Sequence, residues 1–429
     1  MNGKYWLAAG VTLALASAQT VDEALVPVDH PAIRYNTAPV NDRVTRLIED
    51  MKSGKVKMEP RKDGTGYLPA LLQALGVNPD SQIMVFSKTS FQASRISPKT
   101  PRAIYFSDDM TVGYVKGSPL LEVAALDPKQ GFIFYSFDQQ TKPPRFDRRD
   151  VCLQCHESIG TSGVPGIFVA SVYPDADGMP AFRGAAKLTD HRTRFEERWG
   201  GWYVNGTHGD MQHLGNAVGH EPDHPEVLDT RKSLNLTTLA GKFDPKSYLS
   251  ATSDIVALMT FEHQARMSDL MIRVSWEARV LEQEGQAATP DSRKRFDNDL
   301  EALVTYMLFA DEFELQAPVH GVSTFEKTFP QRGPRDKQGR SLRDFDLTKR
   351  LFKYPLSYMV YAEAFDAMPG MVKDRLYQRM FDVLTGKDQS PKFRRLQAAD
   401  RKAVFEILRD TKKGLPEYWA AAQLAAAAK

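Results

Sequence analysis

Apolar residues change their spacing twice along this chain, and the changes predict its elements. Val40, Val44, Leu47, Ile48 and Met51 recur at helical spacing, with Asn41 or Asp42 available as a cap. Residues 52–66 are basic and glycine-containing, which predicts a loop. A short helix is expected over Leu68–Leu75, closed by Gly76. From Gln82 the pattern shortens to runs of strand length: 83–86, 103–106, 112–115, 120–126 and 132–137. Between them lie Ser107-Asp108-Asp109, Gly117-Ser118-Pro119 and Asp127-Pro128-Lys129-Gln130-Gly131, each a turn signal. Short strands joined by tight turns predict a small antiparallel meander within residues 82–138.

The helical period returns at Asp254. Val256, Met259, His263, Met267, Leu270, Met271 and Val274 fall on one face, so His263 is expected to point inward. Thr289-Pro290 opens a further helix as cap and first position. Helices are also expected over Leu356–Ala367, Met371–Leu384 and Ala399–Leu408, with a helical alanine tail at 420–428. Residues 157–250 carry no sustained period and are rich in Gly and Pro. The expected class is therefore α+β: a small meander, a loop-rich segment and a mainly helical C-terminal half. The corresponding blocks are 1–18, 19–150, 151–250 and 251–429.

Composition changes this picture little. Of 429 residues, 42% are hydrophobic and 26% charged, which suits a globular chain with a substantial core. A net charge of +2 gives no reason to expect nucleic acid or an acidic membrane surface as partner. Residues 144–150 (Pro-Arg-Phe-Asp-Arg-Arg-Asp) form a locally basic stretch, expected to be a solvated loop. The N-terminus reads as a secretory signal: Lys4, an apolar run from Tyr5 to Ala16, and the small residues Ala16-Ser17-Ala18 as the cleavage site. The run is too short to span a bilayer, and no transmembrane segment is expected in the mature protein.

The two cysteines of the chain stand together in Cys152-Leu153-Gln154-Cys155-His156. Thiols three residues apart on one helical turn can reach the two vinyl groups of a haem, and the next imidazole can bind its iron. In these five residues the chain resembles the c-type cytochromes. The resemblance implies one covalent haem c on Cys152 and Cys155, with His156 as the proximal iron ligand. It also implies assembly outside the bacterial cytoplasm, in keeping with the export signal. The same pair is open to other readings, as half of a zinc site, as a redox dithiol or as a short disulfide.

A six-coordinate iron would need a further His or Met. His263, on the inward helix face, and Met211, 55 residues beyond His156, rank first. His208 and His213 flank Met211 within a cluster of Trp, Tyr and Gly at 199–213 and rank behind. The leading expectation for function is an exported monohaem cytochrome that passes electrons to an unidentified redox partner. The alternative is a haem enzyme, a peroxidase, oxidase or oxygenase with an open distal site. The great length of the chain speaks for the alternative, because electron transfer alone needs only a small fold.

Overall fold

The expected meander is the centre of a larger sheet. The structure, a computed structural model, describes residues 25–181, 186–219, 224, 227, 228 and 230–421. The signal-like segment 1–18 and residues 422–428 of the alanine tail lie outside these. Five strands follow the sequence pattern: β1 (Ile83–Val85), β2 (Arg102–Phe106), β3 (Met110–Val115), β4 (Leu120–Asp127) and β5 (Gly131–Asp138). Every neighbouring pair is antiparallel, with Ile104 opposite Gly113 and Ala124 opposite Phe134. The β4–β5 turn is set by Asp127, whose Oδ1 accepts from the backbone N–H groups of Lys129 and Gln130. Gly131 completes it at φ +88°, a conformation that disfavours a side chain.

Two more strands extend the sheet where loops were expected. Residues 145–148 form β6 (Arg145–Arg148) on the outer edge of β5. The stretch is charged yet still strand-forming, because its one apolar residue, Phe146, turns inward onto Tyr135 and Phe137. Arg145 pairs with Asp147 and Arg148 with Asp150, and such charges on an edge strand discourage further pairing. A small second sheet follows, β7 (Val169–Ser171) against β8 (Lys187–Thr189). Then β9 (Trp202–Tyr203) returns to the main sheet beside β1, giving the order β6-β5-β4-β3-β2-β1-β9. The return needs Gly201, at φ +87°, where a Cβ would stand 2.7 Å from Ser87.

The helices are α1 (Arg43–Lys52), α2 (Leu68–Ala74), the single turn α3 (Leu153–His156), α4 (Ile255–Glu284), α5 (Pro290–Met307), α6 (Phe325–Thr328), α7 (Glu363–Asp366), α8 (Gly370–Leu384), α9 (Ala398–Thr411) and α10 (Glu417–Ala421). Asp42 caps α1 and Thr289 caps α5, as their positions in the sequence suggest. The expected helix over Leu356–Ala367 is instead a tight turn at 358–361 followed by α7, because Ala362 is extended between them.

α4 departs most from expectation. It is not one-sided: 25 of its 30 residues are buried, polar ones included. Arg273 therefore bridges Glu277 at 2.7 Å and Asp299 of α5 at 3.0 Å, and Gln264 spans Ser107 and Tyr358. One continuous apolar core runs from Val26 to Trp419, shared by all three blocks after the signal-like segment. Among the described residues no helix is long and apolar enough to cross a membrane.

Asp254 fastens the start of α4. Its Oδ1 accepts from the N–H groups of Val256 and Ala257, and its Oδ2 from those of Val322 and Ser323. Asp254→Ala removes the cap and leaves buried donors unmatched, which should cost roughly 3–5 kcal/mol. Asp254→Asn, which keeps one accepting oxygen, should cost less. Urea unfolding of the three proteins checks this order, and an Ala variant within about 1 kcal/mol of wild type would refute it.

Candidate functional site

The Cys-x-x-Cys-His turn sits where the sheet meets α4. A tight turn ending at Cys152 runs directly into α3, so Cys152 and Cys155 share one face of about one helical turn. The backbone N–H of Arg149 donates to Phe134 of β5 at 2.8 Å, and that of Phe132 donates to Pro165 at 2.9 Å. The chain before and after the motif is thus tied to one strand. Pro165 leads into Gly166, against which α4 packs so closely that a methyl there would overlap Asp269 Oδ1.

His156 is held from both ends by Gly166. Its side-chain Nδ1 lies 2.9 Å from the Gly166 carbonyl, while its own carbonyl accepts from the Gly166 N–H at 2.9 Å. A carbonyl only accepts, so Nδ1 carries the proton and Nε2 keeps its lone pair. The ring lies between Phe134 and Phe168, with centroids 4.9 and 5.5 Å away. This burial lowers the imidazole pKa below its ordinary value, against a smaller opposing effect of the Gly166 carbonyl. The result is a neutral imidazole of fixed tautomer, the form that binds a metal.

The two thiols are not bonded to each other; Cys152 is half-buried and Cys155 exposed. Burial raises the Cys152 pKa, Glu122 raises it further, and Arg149 and Arg102 offset part of this. A redox dithiol needs the reverse, a thiolate stabilised by its surroundings. Among the described residues no three His, Cys, Asp or Glu side chains gather as a metal-binding set.

Beside Cys152, Arg102 and Glu122 pair at 2.5 Å across Gly113, whose missing side chain makes the room. Glu122 also accepts from Ser90 and Gln92, while Arg102 Nε is buried with no partner among the described residues. The surface around the motif is apolar. Phe91, Val151, Ile159 and Leu25 are four of the six large apolar side chains exposed among the described residues. Val151 and Ile159 flank the motif, Phe91 lies under the Arg149 guanidinium, and Leu25 lies against Gly163. Arg145 and Arg148 are engaged with neighbouring aspartates, which leaves Arg149 as the basic side chain of this stretch beside the patch.

The four residues read from the sequence as sixth-ligand candidates are engaged elsewhere. His263 is fully buried, with Nδ1 2.8 Å from His191 Nδ1 and Nε2 2.8 Å from Ser357 Oγ. Met211 Sδ accepts from the Gln316 N–H at 3.4 Å. His208 Nε2 accepts from the Asn235 N–H, and His213 Nδ1 from that of Gly215. These two rings pack together at 4.8 Å beside Phe195. Trp199 and Trp202 are buried in the core. None of these side chains has a described contact with His156. Phe134, Phe168, Gly166, Arg102 and Asp269 were not read from the sequence as site residues. Only their convergence in space marks them, apart from the richness in Gly and Pro of residues 157–250.

Compared with family models, with curated proteins and with solved structures, the chain matches none.

The buried imidazoles give the fold an acid limit. Burial lowers both His213 and His263 from 6.5 to about 3. The unfolded chain takes up those protons first, so the stability these rings contribute is present above pH 6.5 and is lost towards pH 3. Glu262 and Glu312 act oppositely. Burial raises them from 4.5 to about 7 and about 8, and their contribution is lost as pH rises through those values. Below pH 6 the histidine loss should dominate, because His191 is also held well below its ordinary value. In His263→Gln the slope of stability against pH between 4 and 6 should flatten by about 1.4 kcal/mol per pH unit. Urea unfolding across that range measures it; an unchanged slope would count against a buried, neutral His263.

Proposed function

We propose that this chain is an exported protein carrying one haem c, attached through Cys152 and Cys155, with His156 as an axial ligand of the iron. The observation that carries the reading is the fixed imidazole. Its Nδ1 proton is given to a backbone carbonyl, and Nε2 has no hydrogen-bond partner among the described residues. Bound there, haem c supplies reversible one-electron chemistry at iron. The chain's part is to hold the imidazole rigidly between Phe134 and Phe168 and to cover a flat apolar group with Phe91, Val151 and Ile159. Arg149, beside the patch, is the basic group fit to receive its carboxylates.

Electron transfer to a redox partner is the primary function on this reading. A second reading, a haem enzyme with an open distal position, is favoured by one observation: His263, Met211, His208 and His213 are all engaged with other groups. Met179 joins them as a candidate, 48% exposed on a turn whose Gly178 carbonyl accepts from Lys88, close in sequence to Phe91.

Exported protein denatured in acidified organic solvent should keep its haem colour on the polypeptide, and the double variant Cys152→Ala, Cys155→Ala should lose it. A colourless wild type, or one that releases all its haem, would end the haem c reading. A low-spin spectrum unreactive with carbon monoxide after reduction supports electron transfer; a high-spin haem that binds carbon monoxide at once supports the enzyme. Alanine at the true sixth ligand, among His263, Met211, His208, His213 and Met179, should convert low spin to high spin with the haem still attached.

A further inference from the structure

A single peptide group links His156 to a carboxyl on α4. The peptide between Gly166 and Ile167 accepts from His156 Nδ1 through its carbonyl at 2.9 Å. Its N–H donates to Asp269 Oδ1 at 3.2 Å. The peptide can rotate only if one of these bonds lengthens. The approach is as close as the backbone allows, since any side chain at residue 166 would overlap Asp269 and crowd Thr161.

Packing alone does not account for an aspartate here. Asp269 is 1% exposed, and its Oδ2 is buried with no hydrogen-bond partner among the described residues. An acid with one oxygen unmatched costs stability that an apolar side chain would avoid. Its neighbour on the helix, Arg266, is turned to Ser162 Oγ rather than to the carboxyl. The oxygen that is used, Oδ1, is the one bonded to the peptide that holds the imidazole.

We infer that Asp269 is a positioning residue for His156, acting through the Gly166–Ile167 peptide to fix the orientation of the ring that binds iron; this rests on the haem reading above. Outer partners of a ligating histidine of this kind set both its orientation and its grip on the metal. The working part is an accepting oxygen, not a charge. Burial raises the Asp269 pKa well above the ordinary range, only partly offset by Arg266, which favours the neutral acid over the charged form. Asparagine, with the same shape and the same accepting oxygen, should therefore replace it well, and leucine should not.

The experiment compares haem-loaded wild type, Asp269→Asn and Asp269→Leu. In D269L the apparent affinity of the ferric haem for added cyanide should change about tenfold, with a shifted midpoint potential, because a loosened His156 would hold the iron less firmly. D269N should stay within about twofold of wild type in affinity, with its potential little changed. A D269L protein that folds, keeps its haem and matches D269N in both readouts overturns the inference while leaving the haem reading intact. A wild type without covalent haem overturns both. Should D269L fail to fold, the isotope-labelled wild type decides. The Ile167 amide proton should exchange slowly and should shift between the ferric and ferrous states. An Ile167 amide that exchanges freely, or is blind to the oxidation state, refutes the coupling.

Discussion

Burying a helix on every side removes its freedom to place polar groups outward, and α4 is buried in this way along most of its length. Each polar side chain it keeps must then find a partner in whatever packs against it. That requirement organises the molecule. Asp254 gathers the 322–323 loop, His263 meets His191 and Ser357, Gln264 reaches the β2–β3 turn and Tyr358, and Arg273 clamps α5. Asp269 meets the peptide that follows the Cys-x-x-Cys-His motif. The described part of the loop-rich segment carries little regular structure beyond α3, β7, β8 and β9, and at Ile167 it is held against this helix by Asp269.

The same constraint explains what the sequence made legible. Local signals are legible: the turn at 107–109, the Asp127 turn and the Asp42 and Thr289 caps are set by a few adjacent residues. The motif was legible because its spacing is local too. Long-range pairings were not. β6 is charged in three of its four residues, so only the inward packing of Phe146 reveals a strand. β9 has two residues and owes its register to β1, some 120 residues earlier. His263 sat correctly on an inward face, but the pattern could not show that both ring nitrogens would be taken. An apolar period tells which side is buried; it does not tell whether a polar group there is used up by structure or held for chemistry.

At the motif, structure and chemistry make different demands on neighbouring groups. The histidine is held in place, half-buried and packed against two phenylalanines, and tied at side chain and backbone to one glycine. The cysteines are on the open side of the same turn, half-buried and exposed, and Cys152 is electrostatically discouraged from ionising. A redox dithiol would need an activated sulfur, and a structural zinc site would draw its ligands together. On the haem proposal, a fixed imidazole beside unpaired thiols would divide the labour between binding the metal and attaching the group covalently.

The exposed apolar side chains belong in the same account. Isolated surface hydrophobics need no explanation, but these are clustered on and around residues 149–163. Phe91 is 71% exposed, a position that leaves most of an aromatic ring in water. Its only described ring partner is Arg149, whose guanidinium lies 5.7 Å from the ring centroid. Covering those side chains with a porphyrin face would remove apolar area from water on both surfaces, at about 25 cal/mol for each Å² buried. Two thioether bonds would make that burial irreversible, so the polypeptide need not bind the group tightly by packing alone. A shallow, surface-lying site would then be sufficient, and the precision could be concentrated on His156, where the hydrogen bonds to Gly166 lie.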